Sequence, residues 1–240
     1  VSFGMDGLNY PVATTGLFLQ GGALGVEGLA VPESGEAADR SYSGQVDYTY
    51  GSAAGGLPTP IRGDIGGSFS ADSVTGSFSI RSTPGYIFGD SSSGAITSVM
   101  ENYFGLDPAA VLDFELLDAS GEITANFAEG QLYAGLTASV LGGVYSGEAE
   151  LAMFRDAGNP VVTFGATGAL QFPDAIPVIG GYGVNGNVAF EYSADDNLSN
   201  DFLAAWTTVD LGIKELNAGL QVSFDGTFRP LGSDGIEKIS

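Results

Sequence analysis

GEITANFAEGQLYAGL, Gly121 to Leu136, repeats without a gap the pattern of GDIGGSFSADSVTGSF, Gly63 to Phe78. Each reads as a strand, a tight turn and a returning strand. In the earlier copy Ile65 and Phe69 share one parity, and past Asp72-Ser73 the apolar positions move to Val74, Phe78 and Ile80. In the later copy Ile123, Ala125 and Phe127 are followed, past Glu129-Gly130, by Leu132, Ala134 and Leu136. Side chains alternate faces along a strand, so a parity change across the turn lets both arms send their apolar residues to one side. The two segments are predicted to be hairpins on a shared apolar core, with Phe69 and Phe127 inside it.

Working outward, Tyr42, Val46, Tyr48 and Tyr50 alternate with Ser43, Gln45, Asp47 and Thr49, the period of a strand with one buried face. Leu17 to Ala30 reads as two strands about Gly21-Gly22. Val144–Phe154, Val161–Phe172, Tyr182–Tyr192, Phe202–Ile213 and Leu216–Phe228 are further strand candidates, separated by turns at 156–160, 173–181 and 194–200. The 38 glycines among 240 residues, against a usual share of about 7%, fall between short runs of Val, Ile, Phe, Tyr and Thr. The fold class expected is all-β, an antiparallel barrel or sandwich of about ten strands. One short lid helix is predicted near residues 94–104, where Ile96, Val99, Met100, Tyr103 and Phe104 recur at helical spacing behind Ser91-Ser92-Ser93. Residues 1–15 read as an extended arm or edge strand, 16–228 as one antiparallel β domain, and 229–240 as a tail.

Charge and residue types exclude whole classes of function. Asp and Glu total 29, Lys and Arg only 7, for a net charge of −22. Nucleic acid and anionic membrane surfaces need bases to neutralise phosphate, so neither is an expected partner. With no His and no Cys, Ser-His-Asp and Cys-His constellations and ordinary zinc or haem ligation are ruled out. Asp113 with Glu115, and Glu148 with Glu150, would suit a glycosidase, but alternating carboxylates on a strand read as its solvated side. No catalytic residue and no cofactor site is assigned, and the chain is not expected to be an enzyme. Calcium is the ion that the loop oxygens suit: Asp195, Asp196, Asn197, Asn200 and Asp201 are hard donors in one short stretch. Arg62-Gly63-Asp64 spells an adhesion tripeptide but reads as the opening of a strand.

Gly143-Val144-Tyr145-Ser146-Gly147-Glu148-Ala149-Glu150-Leu151, together with the two hairpins, Tyr42-Ser43-Gly44 and Val161 to Leu170, resembles the barrel domain of bacterial transferrin-binding-protein-like surface proteins. The likeness spans about Arg40 to Phe172. It implies an eight-stranded barrel at the bacterial cell surface. It implies no transferrin binding, since the sequence has no lipidation cysteine at its start and no handle domain.

On the strands, positions opposite the apolar set are Ser, Thr, Gly and Ala more often than Lys or Glu. With the apolar set inside, that leaves a neutral outer face able to pack closely. The function expected first is therefore a non-catalytic extracellular or cell-surface structural protein, a subunit of a homomeric filament or layer. Copies of itself are the expected partner, with strand addition through Val1 to Thr15. The alternatives are an outer-membrane β-barrel pore and a monomeric surface barrel holding a small apolar ligand. No membrane helix is expected, because Gly16 to Val31 is broken by Gly22, Gly25, Glu27 and Gly28. Against the pore stand the short, Gly-broken apolar runs, the lack of two tyrosine girdles in the linear sequence, and a non-aromatic ending at Ile236 to Ser240.

Overall fold

The structure, a computed structural model, describes residues 1–29, 39–52, 59–83, 85–86, 98, 114–172, 180–195, 198 and 200–232. These residues hold fourteen strands rather than about ten: β1 Ser2–Met5, β2 Tyr10–Pro11, β3 Leu17–Glu27, β4 Ser41–Tyr50, β5 Ile61–Phe69, β6 Ser73–Ser82, β7 Leu117–Asn126, β8 Gln131–Val140, β9 Tyr145–Asp156, β10 Asn159–Gln171, β11 Gly183–Ser193, β12 Phe202–Asp210, β13 Glu215–Ser223 and β14 Phe228–Leu231. The strand order follows chain order from β1 to β14, with β2 set aside on β3. The lid helix expected near residues 94–104 lies outside the described residues except for Ser98.

By their contacts the residues fall into two compact units, Val1–Glu122 and Ile123–Ser240. In the first, β1, β3, β4, β5 and β6 pair in that order, every pair antiparallel. In the second, β8 to β14 do the same. The first residues are thus an edge strand hydrogen bonded to β3. Leu17–Glu27 is one strand where two are expected, because Gln20 is a bulge: Leu19 pairs with Tyr48 and Gly21 with Asp47. The extra residue restores parity, keeping Leu17 and Leu19 on the side of Gly22, Leu24 and Val26. Its amide is taken up by Thr49 Oγ1 at 2.9 Å and Asn9 Oδ1 at 3.3 Å.

Turn chemistry sets the register. Between β5 and β6, Ser70 Oγ accepts the N–H groups of Asp72 and Ser73, and Ser70 N–H bonds Ser73 C=O at 2.8 Å. The first hairpin is as expected, with Ile65 opposite Phe78 and Phe69 opposite Val74. Past Asn126, whose Oδ1 accepts Glu129 N–H at 3.2 Å, β8 follows β7 in the strand order. Ala157 and Gly158, both at positive φ (48° and 93°), close β9 onto β10.

Gly63 is a position where only glycine fits. The Tyr48 ring lies across it, and Tyr48 Oη donates to Ser79 C=O at 3.1 Å. A Cβ at Gly63 would stand 2.1 Å from Ser79 C=O and 2.6 Å from Tyr48 Oη. Gly63→Ala must push β6 or the tyrosine aside and is expected to cost about 1–3 kcal/mol in denaturant unfolding; an unchanged midpoint would show that the ring does not lie there.

The β13–β14 turn carries a titratable group. Thr227 N–H and Thr227 Oγ1 both donate to Asp225 Oδ1, at 2.9 and 2.8 Å, and hold this carboxyl below its ordinary value of 3.8. A depressed folded pKa adds stability above the unfolded pKa and loses it as pH falls through the folded one, so the turn loosens only in acid. Carbon-13 titration should find Asp225 below 3.8, and Thr227→Val should move it back up; equal values in the two proteins would refute the assignment.

Candidate functional site

Residues paired across antiparallel strands share a face, so the registers sort each unit into two surfaces. In the second unit one surface is apolar along its whole length. A row across β8 to β12 reads Leu136, Ala149, Ala166, Val188 and Ala205, and the next reads Ala138, Gly147, Gly168, Gly186 and Thr207. Flanking rows carry Leu151, Phe164, Phe190 and Leu203 on one side and Tyr145, Leu170, Val184 and Val209 on the other. No Asp, Glu, Lys or Arg stands on this surface from β8 to β13 until Arg155, at the end of β9. The first unit repeats the pattern with Leu24, Val46, Ile65 and Phe78 against Ala23, Gln45, Asp64 and Ser79.

Exposure overturns the expected core. Phe69 is 54% exposed and Phe127 60%, with Leu24 and Ile65 at 69% and 56%. Along β13 Leu216, Ala218 and Leu220 are exposed, while Asn217, Gly219 and Gln221 between them are half-buried. Among the described residues the buried hydrophobic side chains are Val161, Ala204 and Leu231, and all three lie on the opposite surface, beside Ser193, Gln221 and Gly219. From β10 to β13 the face opposite the apolar set is the more enclosed one, whereas on β9 Glu148 and Glu150 of that face are exposed and Ala149 and Leu151 between and beside them are half-buried. Parity determines which residues share a side; it carries no information on what that side meets.

Register also brings together aromatics that are scattered in sequence. At one end of the second unit's apolar rows stand Tyr192 and Phe190, with Phe224 of the next turn 6.3 and 6.0 Å away. Tyr145 stands at the other end, paired with Val140 and Leu170. In the first unit Tyr42 stacks on Phe69 at 4.7 Å at one end, and Tyr50 faces Leu17 and Ile61 at the other. Each unit thus has aromatics at both ends of its apolar rows, a single tyrosine at one end, Tyr145 or Tyr50, and a pair or cluster at the other.

The opposite surface is a polar network. Asp64 accepts the Ser79 hydroxyl, Gln45 donates to Asp47 at 3.1 Å, and Thr167 donates to Asn187 at 3.0 Å. Arg81 pairs with Glu115 and, at 3.4 Å, with Asp118. Arg62 donates to Thr59 at 3.0 Å and lies 4.0 Å over the Tyr86 ring. Arg62-Gly63-Asp64 is thus strand β5, as expected. A depression of about 400 Å³ is lined by Ser43, Gln45, Asp64, Thr75 and Ser77. Glu148 and Glu150 point to this surface, opposite Thr167 and Gly165.

Of the residues expected to suit calcium, Asp196 and Asn197 lie outside the described residues. Asp195 is half-buried and Asn200 exposed, while Asp201 has no exposure at all. Among the described residues no group of three or more His, Cys, Asp or Glu is placed to hold a metal ion. No helix among them is long and apolar enough to cross a membrane, which bears on helices alone. Comparison with protein-family models, curated proteins and solved structures finds no match for the chain.

Proposed function

We propose that this chain is a membrane-spanning antiparallel β-barrel, a pore of the bacterial outer-membrane kind, with its apolar face against lipid and its polar face lining a water-filled interior. The observation that carries this reading is the apolar surface of the second unit, exposed at Leu203, Leu216 and Leu220 and free of charge up to Arg155, backed from β10 to β13 by a polar, more enclosed one. Soluble sheets put these surfaces the other way round. Lipid removes the cost of exposing Leu, Val and Phe, and antiparallel strands satisfy their own backbone groups, as hydrocarbon demands.

The dimensions agree. From Tyr145 to Met153 the apolar side chains of β9 extend roughly 27 Å along the strand, and about 19–22 Å once tilted by the usual 35–45°, a little under the apolar band of about 25 Å on such barrels. Aromatics at both ends suit the two interfaces. The net charge of −22 opposes adsorption onto anionic headgroups but does not oppose insertion of a face that carries no charge. A cell-surface location is also what the likeness of residues 40–172 to surface-protein barrels implies. Barrel closure belongs to this proposal.

Two adjacent substitutions separate this reading from a soluble assembly. Val188 is on the apolar face and Asn187 on the polar one. In a bilayer Val188→Arg is expected to destabilise the fold by about 2–4 kcal/mol, and Asn187→Arg by no more than about 0.5 kcal/mol. In a protein that needs no lipid, Val188→Arg would be neutral or improve solubility. The unmodified chain is expected to require detergent and to give stepwise conductance in planar bilayers. A monodisperse, detergent-free protein that conducts nothing would sink the proposal, and filaments or layers of it would favour the homomeric assembly.

A further inference from the structure

We infer that the polar face of the second unit passes cations and turns back anions, with Glu148 and Glu150 of β9 setting that preference. The inference rests on the pore reading and names what the pore carries. From β8 to β13 this face holds Glu148, Glu150, Asp156, Glu191, Asp210 and Glu215 and not one Lys or Arg. The first base met across it is Arg229 on β14, opposite Gln221. Between Arg81 and Lys214 the sequence contains a single base, Arg155, and it stands on the apolar side. No connection in that span therefore carries a positive charge to set against the acids.

Position along the strand makes Glu148 and Glu150 the effective pair. They flank Ala149, the midpoint of the run from Tyr145 to Met153, so each lies about 3.3 Å along the strand from the level of the bilayer centre. Both are exposed. Glu148 faces Thr137 and Thr167 on the neighbouring strands, and Glu150 faces Gly135 and Gly165, none of which can neutralise a carboxylate. The salt bridges among the described residues belong to Arg81, in the first unit. Two residues apart on one face, the carboxylates are roughly 7 Å from each other along the strand and repel. A cation entering between them lowers that repulsion, and an anion raises it. A water-filled path walled by hydrocarbon concentrates such a field, where open solvent would spread it. Hydroxyls and glycines are too few and too weak as ligands to cage an ion, so the pair acts through its field and lets the cation go.

The test is the reversal potential of the full chain, purified in detergent and inserted into planar bilayers of uncharged lipid, across a gradient of potassium chloride. Potassium is expected to permeate about tenfold or more over chloride at low salt, and the preference should fade as added salt screens the acids. Glu148→Gln and Glu150→Gln should each lower the permeability ratio about twofold or more, and the double substitution should remove most of it. Asp72→Asn, in the β5–β6 turn, should leave the ratio unchanged. Channels without a cation preference, or with one that survives the double substitution, overturn the inference and leave the pore reading standing. Absence of any channel from the unmodified chain overturns both. If the substituted chains form no channels, the ratio of the unmodified chain and its dependence on salt decide the matter.

Discussion

The backbone ladder between neighbouring strands is the constraint from which the other features of this protein follow. From β3 to β6 and from β8 to β13 each strand pairs with the one next to it in sequence, antiparallel, and apart from the bulge at Gln20 the registers run without a slip. Because side chains alternate with period two, the register within each unit places its apolar residues on one surface and its carboxylates on the other, Asp47 and Asp64 in the first unit and Glu148, Glu150 and Glu191 in the second. A one-residue slip anywhere would put a charge among the leucines, so the turns at Ser70, Ala157-Gly158 and Asp225 carry more of the specificity than their length suggests.

Such a sheet draws little stability from an interior of its own. Val161, Ala204 and Leu231 are small contributors by any area accounting. What remains is the ladder itself, cross-strand contacts such as Tyr42 on Phe69, and polar networks such as Gln20 with Thr49 and Asn9. In water a surface that exposes Phe3, Leu24 and Ile65 in the first unit, or Leu203 and Phe228 in the second, would drive aggregation. The medium is therefore part of the fold's energetics: the same strands become self-sufficient once something apolar covers that surface.

Much of this was legible in the sequence and one decisive part was not. The β5–β6 hairpin, the strands of the second unit and the turn before Pro160 follow from parity and from glycine placement. Which side is outside does not, since inside and outside give the same period. A clue did exist in composition: the positions opposite the apolar set lack the lysines that a water-exposed sheet carries, and hold Ser, Thr, Gly and acids instead. Read as a close-packing exterior, that face suggested an assembly; read as an enclosed, wetted one, it suggests a lining. The aromatic borders stayed hidden for a different reason. Tyr42 and Phe69 are 27 positions apart and meet only through register. Asp201 showed as one acid in an acidic turn, and its complete burial, with Ser193 N–H on its carboxylate and Phe224 N–H on its backbone, is announced by no local pattern.

The distribution of small residues argues separately for what covers the apolar surface. The row of Ala138, Gly147, Gly168, Gly186 and Thr207 runs across five strands with almost no side-chain volume, between the row of Leu136, Ala149, Ala166, Val188 and Ala205, itself mostly small, and that of Tyr145, Leu170, Val184 and Val209. A protein partner packs to crystal-like density, and a trough of this kind would have to be filled by a ridge of matching shape or left as a costly void. Fluid acyl chains conform to any relief, so against lipid the same trough forfeits nothing and complementarity is not required. Arg155 obeys the same logic, standing past Met153 where the apolar rows end, because a base in the middle of them would cost about 2–4 kcal/mol in hydrocarbon. On the proposed reading, a surface that keeps its one base to the end of the apolar rows but is careless of shape is what a solvent of hydrocarbon would select, whereas a protein partner would select for fit.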